Sequence, residues 1–373
     1  MHLKTKKFLL LTTSLGWFTI FSSRIILTPS LPSIISEFSI PYSMAGLLTT
    51  AILITYSLTQ IPSGILSDRF GQIRLIVISF TMTATSLILI VTSSDYFHLF
   101  LSMLFLGFAS GIYYPASVSL IAHNFEKRGK ALSYNDLALN LGGIMLPIIA
   151  GFIILQWGWR EIFLIPLILT LIVTSMFIYM RSYSKKVERT GEALFSITRP
   201  ILLITFAYIL INSFYWGVAV FLPTYARFLN FNVVLSSAIA SIPFVGGFVG
   251  NLIFGNLSDT MGRKKVITML FIFGAFFVFI LSTGSRFLLF PVVLLFGVVT
   301  LPCFPIIFAY VSDIAPQDKM GSTLGFVNAI GSFIGSTSPF ISGYIIDIAG
   351  FKYYVYFNAM LPILALLILR RIR

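Results

Sequence analysis

Twelve apolar runs, most of them near 20 residues long, fill this 373-residue chain and are separated by short polar connectors. This pattern constrains the fold more than any single residue does. A helix needs about 20 apolar residues to cross the hydrocarbon core of a bilayer. The runs place spans near 8–33, 43–66, 75–92, 97–121, 131–155, 162–180, 200–222, 235–257, 266–283, 287–310, 322–346 and 353–369. The chain is 57% hydrophobic and 10% charged, with mean hydropathy +0.97. Soluble domains carry about 25% charged residues. A soluble fold of this size has no room to hide so much apolar surface, so part of the solvent is lipid. The expected fold class is an all-α membrane protein of twelve transmembrane helices in two six-helix pseudo-repeats.

The net charge is +13, which in a soluble chain points to nucleic acid. Here the cations sit in the connectors, with no basic stripe interleaved with aromatics, so no nucleic-acid partner is expected. Of the 25 lysines and arginines, twenty fall on one side of the spans. Four fall on the other: Arg160, Arg227, Arg286 and Lys352. Arg24 is left inside the first span. The positive-inside rule then puts both termini in the cytoplasm of a multi-pass protein of the cell membrane. Lys4, Lys6 and Lys7 before an apolar run also fit a signal peptide. The run is read as a mature helix, because its Leu31-Pro32 recurs as Leu222-Pro223, 191 positions on.

Other pairs repeat that offset. Gly143 and Gly335, and Pro147 and Pro339, are 192 apart. The one long polar connector, 181–199, divides the chain into bundles 1–180 and 200–373. Parallel repeats of this kind rock about a site at the bilayer midplane. The connectors repeat too. Residues 64–71 and 255–262 share a Gly-x-Leu-Ser-Asp-x-x-Gly frame in which Gly64, Asp68 and Gly71 match Gly255, Asp259 and Gly262. Basic residues follow: Arg69 and Arg74 in the first copy, Arg263 in the second. Gly64 lets its helix approach a neighbour, Gly71 permits a tight turn, and Asp68 can accept from helix N-terminal amides. Arg69 and Arg74 can bridge to carboxylates or anionic headgroups.

Gly-x-x-x-Asp-Arg-x-Gly between the second and third spans, with a copy between the eighth and ninth, resembles the signature of the major facilitator superfamily. The resemblance covers the whole chain and implies alternating access, with these residues as a gating motif. The first copy departs from the family pattern at Gln72 and Ile73, and the second at Thr260. Residues 107–115 and 141–147, with Gly158-Trp159-Arg160, Arg24 and Leu31-Pro32, are similar to the sugar-phosphate permease and anion:cation symporter branches. The glycerol-phosphate-type relatives among them imply a second arginine, a lysine and a histidine where this chain has Tyr215, Gln60 and Leu139. A single arginine suits a carboxylate better than a phosphate dianion.

Polar residues inside the spans are the candidate site. An arginine at depth costs about 2.5–3.5 kcal/mol on insertion scales. Arg24 therefore either holds an anionic solute through its guanidinium fork or snorkels to the outer interface. Asp136 is the carboxylate set furthest into a span, and is read either as a proton carrier or as a partner for basic connectors. Asn140 lies one turn on, and Asn328 is 192 from Asp136, so a shared cavity lining is expected. Tyr56, Gln60, Asn212 and Tyr215 complete the expected solute contacts, with Tyr215 facing Arg24.

The three histidines do not cluster with carboxylates or with the single Cys303, so neither an enzyme nor a cofactor or metal is expected. No phosphate-cradling loop supplies an ATP motor. The sequence points to a monomeric secondary transporter that carries a small organic anion with protons. A drug or metabolite exporter is the alternative. A sensor built on the same fold would need a larger cytoplasmic surface than 181–199.

Overall fold

The computed structural model describes residues 3–125, 128–180, 197–317 and 319–372. Most of the connector 181–199 and the side chain of Asp68, both singled out above, lie outside the described residues. The described chain is helical with no strand. Among the described residues, eleven continuous helical stretches are long and apolar enough to cross a bilayer. The last of them, Met320–Leu369, is 50 residues long. At 1.5 Å per residue it measures about 75 Å, far more than one crossing of a core about 30 Å thick. It breaks at Gly350, whose φ of +80° and ψ of 176° are non-helical. Residues 320–349 and 351–369 are therefore spans 11 and 12. Spans 1 to 10 are Lys6–Phe38, Tyr42–Ser67, Gln72–Val91, Tyr96–Asn124, Gly129–Gln156, Glu161–Tyr179, Arg199–Phe228, Val233–Met261, Arg263–Thr283 and Arg286–Ile314.

Hydropathy placed the cores of these spans and shortened several ends. Span 1 runs five residues past the expected limit of 33, to Phe38. It does so because the helix turns at Ile26 and restarts at Leu27. Pro29 then falls in the first turn of the new segment, where its missing N–H has no helical acceptor to lose.

The two signature connectors fold alike. Gly71 has φ +90° and ψ 139°, and Gly262 has φ +91° and ψ 137°. A side chain at either position would be strained, so glycine is required at both. The face that carries these connectors is called here the signature face.

The first six spans meet the last six mainly at the other face. Span 2 packs on span 11 there, with Gly46 against Pro339 and Gly343 against Tyr42. Span 5 packs on span 8, where a Cβ at Gly151 would lie 2.9 Å from Val234 Cα and one at Gly143 2.6 Å from the Phe244 ring. Phe21 of span 1 also meets Phe244, with ring centroids 5.6 Å apart. Toward the signature face the two sets diverge and leave two clefts. One, of about 750 Å³, lies between spans 2 and 4 and span 11. The other, of about 850 Å³, lies between span 5 and spans 8 and 10. The molecule is closed on one face and open on the other.

Glu37, at the end of span 1, braces the closed face within the first six spans. Arg160 pairs with it at 2.7 Å and also donates to the Ser93 carbonyl at 2.8 Å. The Trp159 indole donates to the same carboxylate at 2.7 Å. This gives Gly158-Trp159-Arg160 a structural role.

Candidate solute site and its relatives

Arg24 sits two residues from the midpoint of Lys6–Phe38, about 3 Å along the axis. From there to Phe38 is about 21 Å, beyond the reach of a snorkelling side chain. The long-helix reading of span 1 therefore puts the cation at depth. Arg24 is half-buried. Its guanidinium carbon lies 3.8 Å from the Tyr56 ring centroid and 6.0 Å from that of Phe21. Its Nε donates to the Ile20 carbonyl at 3.4 Å. Among the described residues no carboxylate pairs with it; the ion pairs are Arg160–Glu37, Arg263–Asp259 and Arg263–Asp313. Stacking on Tyr56 contributes about 1–2 kcal/mol where water is excluded, and leaves the guanidinium edge with donors to offer.

Gln60, one turn beyond Tyr56, lines the cleft between spans 2, 4 and 11. Tyr114 of span 4 lines it too, and tilts against Trp17 with centroids 5.0 Å apart. Its neighbour Tyr113 is structural: its hydroxyl donates to the Thr13 carbonyl at 2.6 Å in a buried setting. On the far wall stands Asn328. Its Oδ1 accepts from the hydroxyls of Tyr208 and Ser332, each at 3.2 Å. Tyr208 and Ser332 were missed from the sequence. The available signal was helical spacing: Tyr208 is one turn from Asn212, and Ser332 one turn from Asn328.

Asp136 is exposed in the other cleft, with Asn140 beside it. The Asn140 amide donates to the Asp136 backbone carbonyl at 2.8 Å. Asn140 lines the cleft beside span 5 and Asn328 the cleft beside span 11, so the two stand on different walls of the open space. Repeat symmetry relates span 5 to span 11, and those helices stand on opposite sides of the molecule.

Two further expectations are corrected. Tyr215 does not face Arg24. It is buried against Phe296, stacked with centroids 6.1 Å apart, and edge-on to Phe304 at 5.7 Å. Asn212 is 4% exposed and turns toward the core beside Tyr208. A one-turn helical rotation separates a lumen-facing from a core-facing position, and sequence offset alone does not resolve it.

The gating motif is also uneven. Arg263 is braced three ways: to Asp259 at 2.5 Å, to Asp313 of span 10 at 3.4 Å and to the Ser258 hydroxyl at 2.6 Å. Arg69 and Arg74 are exposed, and among the described residues neither pairs with a carboxylate. Gly64 makes no close approach here, since a Cβ would sit 3.9 Å from Pro115 Cβ, and one at Gly255 would meet open space. Both glycines border clefts, so the expected tight contact is absent while this face is open.

Among the described residues, twelve helical spans around clefts open on one face form the architecture of a multi-pass membrane protein. The sequence profile of the Major Facilitator Superfamily matches residues 204–373. The "Multidrug resistance protein 2" of Bacillus subtilis (strain 168) is 25% identical over 347 residues, covering 87% of this chain and 85% of the relative. The "Hexuronate transporter" of the same organism is 21% identical over 372 residues, covering 88% and 85%. Its "Glycerol-3-phosphate transporter" is 24% identical over 376 residues, covering 83% and 81%. Among solved structures, a bacterial homolog of the human lysosomal transporter Spinster, inward-facing and occupied, superposes with TM-score 0.83 at 14% identity, covering 99% of this chain and 97% of that one. A nucleoside transporter gives TM-score 0.83 at 14% identity, covering 98% and 99%. The last six spans thus match the Major Facilitator Superfamily, and the relatives that align over most of the chain are transporters.

Proposed function

We propose that this protein carries a small organic anion of carboxylate type across the cell membrane together with protons. The observation that carries the reading is Arg24: a half-buried guanidinium near mid-membrane, stacked on Tyr56, with no carboxylate partner among the described residues. An unpaired cation at that depth is costly, and a bound anion offsets the cost. The solute's carboxylate docks on Arg24 and Tyr56, and its remainder lies between Gln60 and Asn328. Asn212 and Tyr215 back the site from the core. Asp136, open to the second cleft, carries the proton. Hexuronate and glycerol-3-phosphate transporters among the relatives support an anionic cargo.

In this reading the signature face and both termini lie in the cytoplasm, an orientation supported by the basic connectors, and the protein works as a monomer in the plasma membrane. Bundles 1–180 and 200–373, joined by the cytoplasmic loop 181–199, rock about the site. The gating motif is Gly64, Asp68, Arg69, Gly71 and Arg74, with Gly255, Asp259, Gly262 and Arg263. It closes the cytoplasmic face in the other half of the cycle.

A second reading, a proton-driven exporter of drugs or metabolites, is favoured by the multidrug-resistance relative and by the Trp17–Tyr114 aromatic wall. Thermal unfolding of the purified protein against organic anions and lipophilic cations separates the two, with Arg24→Ala in parallel. Selective binding raises the midpoint. Carboxylates raising it in the parent protein and not in Arg24→Ala is the expected result. Stabilisation by lipophilic cations, unchanged in Arg24→Ala, puts the exporter first.

A further inference from the structure

Span 2 starts without a cap of its own. Its N-cap is Pro41, in extended conformation, with no side chain accepting from the helix. The first amides of a helix have no acceptor within it. Here the first two are taken by a residue 305 and 304 positions away in sequence: Tyr42 N–H donates to Asp347 Oδ1 and Ser43 N–H to Asp347 Oδ2, each at 2.8 Å. Asp347 belongs to span 11. One carboxylate from the last six spans therefore caps, with both oxygens, a helix of the first six, at the end where the helix dipole is positive.

The seam around this cap is tight at the level of backbone. A Cβ on Gly46 would collide with the Pro339 carbonyl oxygen, and one on Gly343 with that of Tyr42. The Phe340 amide donates across the seam to the Thr50 hydroxyl at 3.2 Å. The Tyr42 ring meets Phe351 at 5.4 Å and Phe221 at 6.5 Å.

The repeat-related corner is built differently. Span 8 starts at Val233 and is capped by its own Asn232, whose Oδ1 accepts from the Leu235 amide at 2.8 Å. The position 192 before Asp347 is Leu155, which is 62% exposed. A cap from the same chain segment survives any separation of the two sets of spans. A cap from the opposing set exists only while this face is closed.

We propose that Asp347 is a positioning residue of the transport cycle: by capping span 2 from the opposing bundle it holds the face opposite the signatures shut, and its release accompanies the switch of access. Access to the opposite face requires spans 2 and 11 to part there, which leaves the amides of Tyr42 and Ser43 to water. The carboxylate thus weights the equilibrium toward the state with the signature face open. This holds whichever solute is carried.

The test is a distance measurement in full-length protein in lipid nanodiscs, without solute. Spin labels go on exposed positions of the opposing sets at that face, Ser94→Cys and Thr283→Cys, in a Cys303→Ala background. Double electron–electron resonance reads the populations of short and long separations. Asp347→Ala is expected to raise the long-to-short ratio at least about tenfold, the scale of one lost charge-assisted hydrogen bond. Asp347→Asn, which keeps one carbonyl acceptor, gives an intermediate ratio and carries the test if the alanine variant does not fold. Gly343→Ala, which forces the same seam without touching the carboxylate, moves the ratio in the same direction. An unchanged distribution in the Asp347 variants, with or without a lower thermal midpoint, makes the contact a structural cap only and overturns the proposal.

Discussion

The first six spans and the last six share a repeat offset of 191 to 192 residues, yet they keep their charges in different places. Inside the first six lie Arg24, without a carboxylate partner, and Asp136, exposed to a cleft. The interior polar groups of the last six are neutral: Tyr208, Asn212, Asn328 and Asn358, most of them joined by hydrogen bonds within the set. At the signature connectors the order reverses. The copy in the last six is braced by Arg263, while the arginines of the first copy are exposed without carboxylate partners among the described residues. Duplication supplies a common frame of turns and crossings, because glycine at a positive φ and proline in a helix are demands of the backbone. Charge is not duplicated in the interior, since each buried ion carries its own desolvation penalty.

This contrast gives graded expectations. Arg24→Ala has the largest effect. Loss of two charge-assisted hydrogen bonds weakens carboxylate binding at least about 100-fold in equilibrium titration. The unliganded protein, relieved of a cation at depth, unfolds at a higher temperature than the parent. A lower midpoint in Arg24→Ala would make the arginine a structural element and remove the asymmetry. Asn328→Ala comes next. It deletes a neutral contact from the far wall and weakens binding about fivefold to tenfold, the scale of a single hydrogen bond. A loss as large as that of Arg24→Ala would mean that the last six spans carry as much of the recognition as the first.

Arg263→Ala lowers stability by about 1 kcal/mol, because its pairs are partly exposed but form a network. Arg69→Ala stays within about 0.5 kcal/mol of the parent by the same denaturation assay. Equal losses would show that the two signature copies are braced alike. Smallest of all is Tyr215→Phe. The Tyr215 ring packs on Phe296 and Phe304, and solute binding is expected to be unchanged in titration. A weakened affinity would restore Tyr215 to the site.

The sequence by itself determined the membrane class, the number of spans and the turns at Gly71 and Gly262. Each follows from a local requirement: apolar length against bilayer thickness, or a backbone angle that only glycine holds without strain. It also singled out Arg24, because a cation within an apolar run has no local explanation. Tertiary structure decided which polar residues share a space. The 192-residue offset places Asn328 and Asp136 on related helices, yet those helices form different walls of the open space. Tyr215 and Asn212 turn into the core, whereas Tyr208, unremarkable in sequence, holds Asn328 by a hydrogen bond. Asp347 stands near the end of span 11 with no local signal of a role, and the fold sets it over the amides of Tyr42 and Ser43. Helical rotation and crossing angle decide such contacts, and both are fixed by the packing of all the spans together rather than by any one stretch of chain.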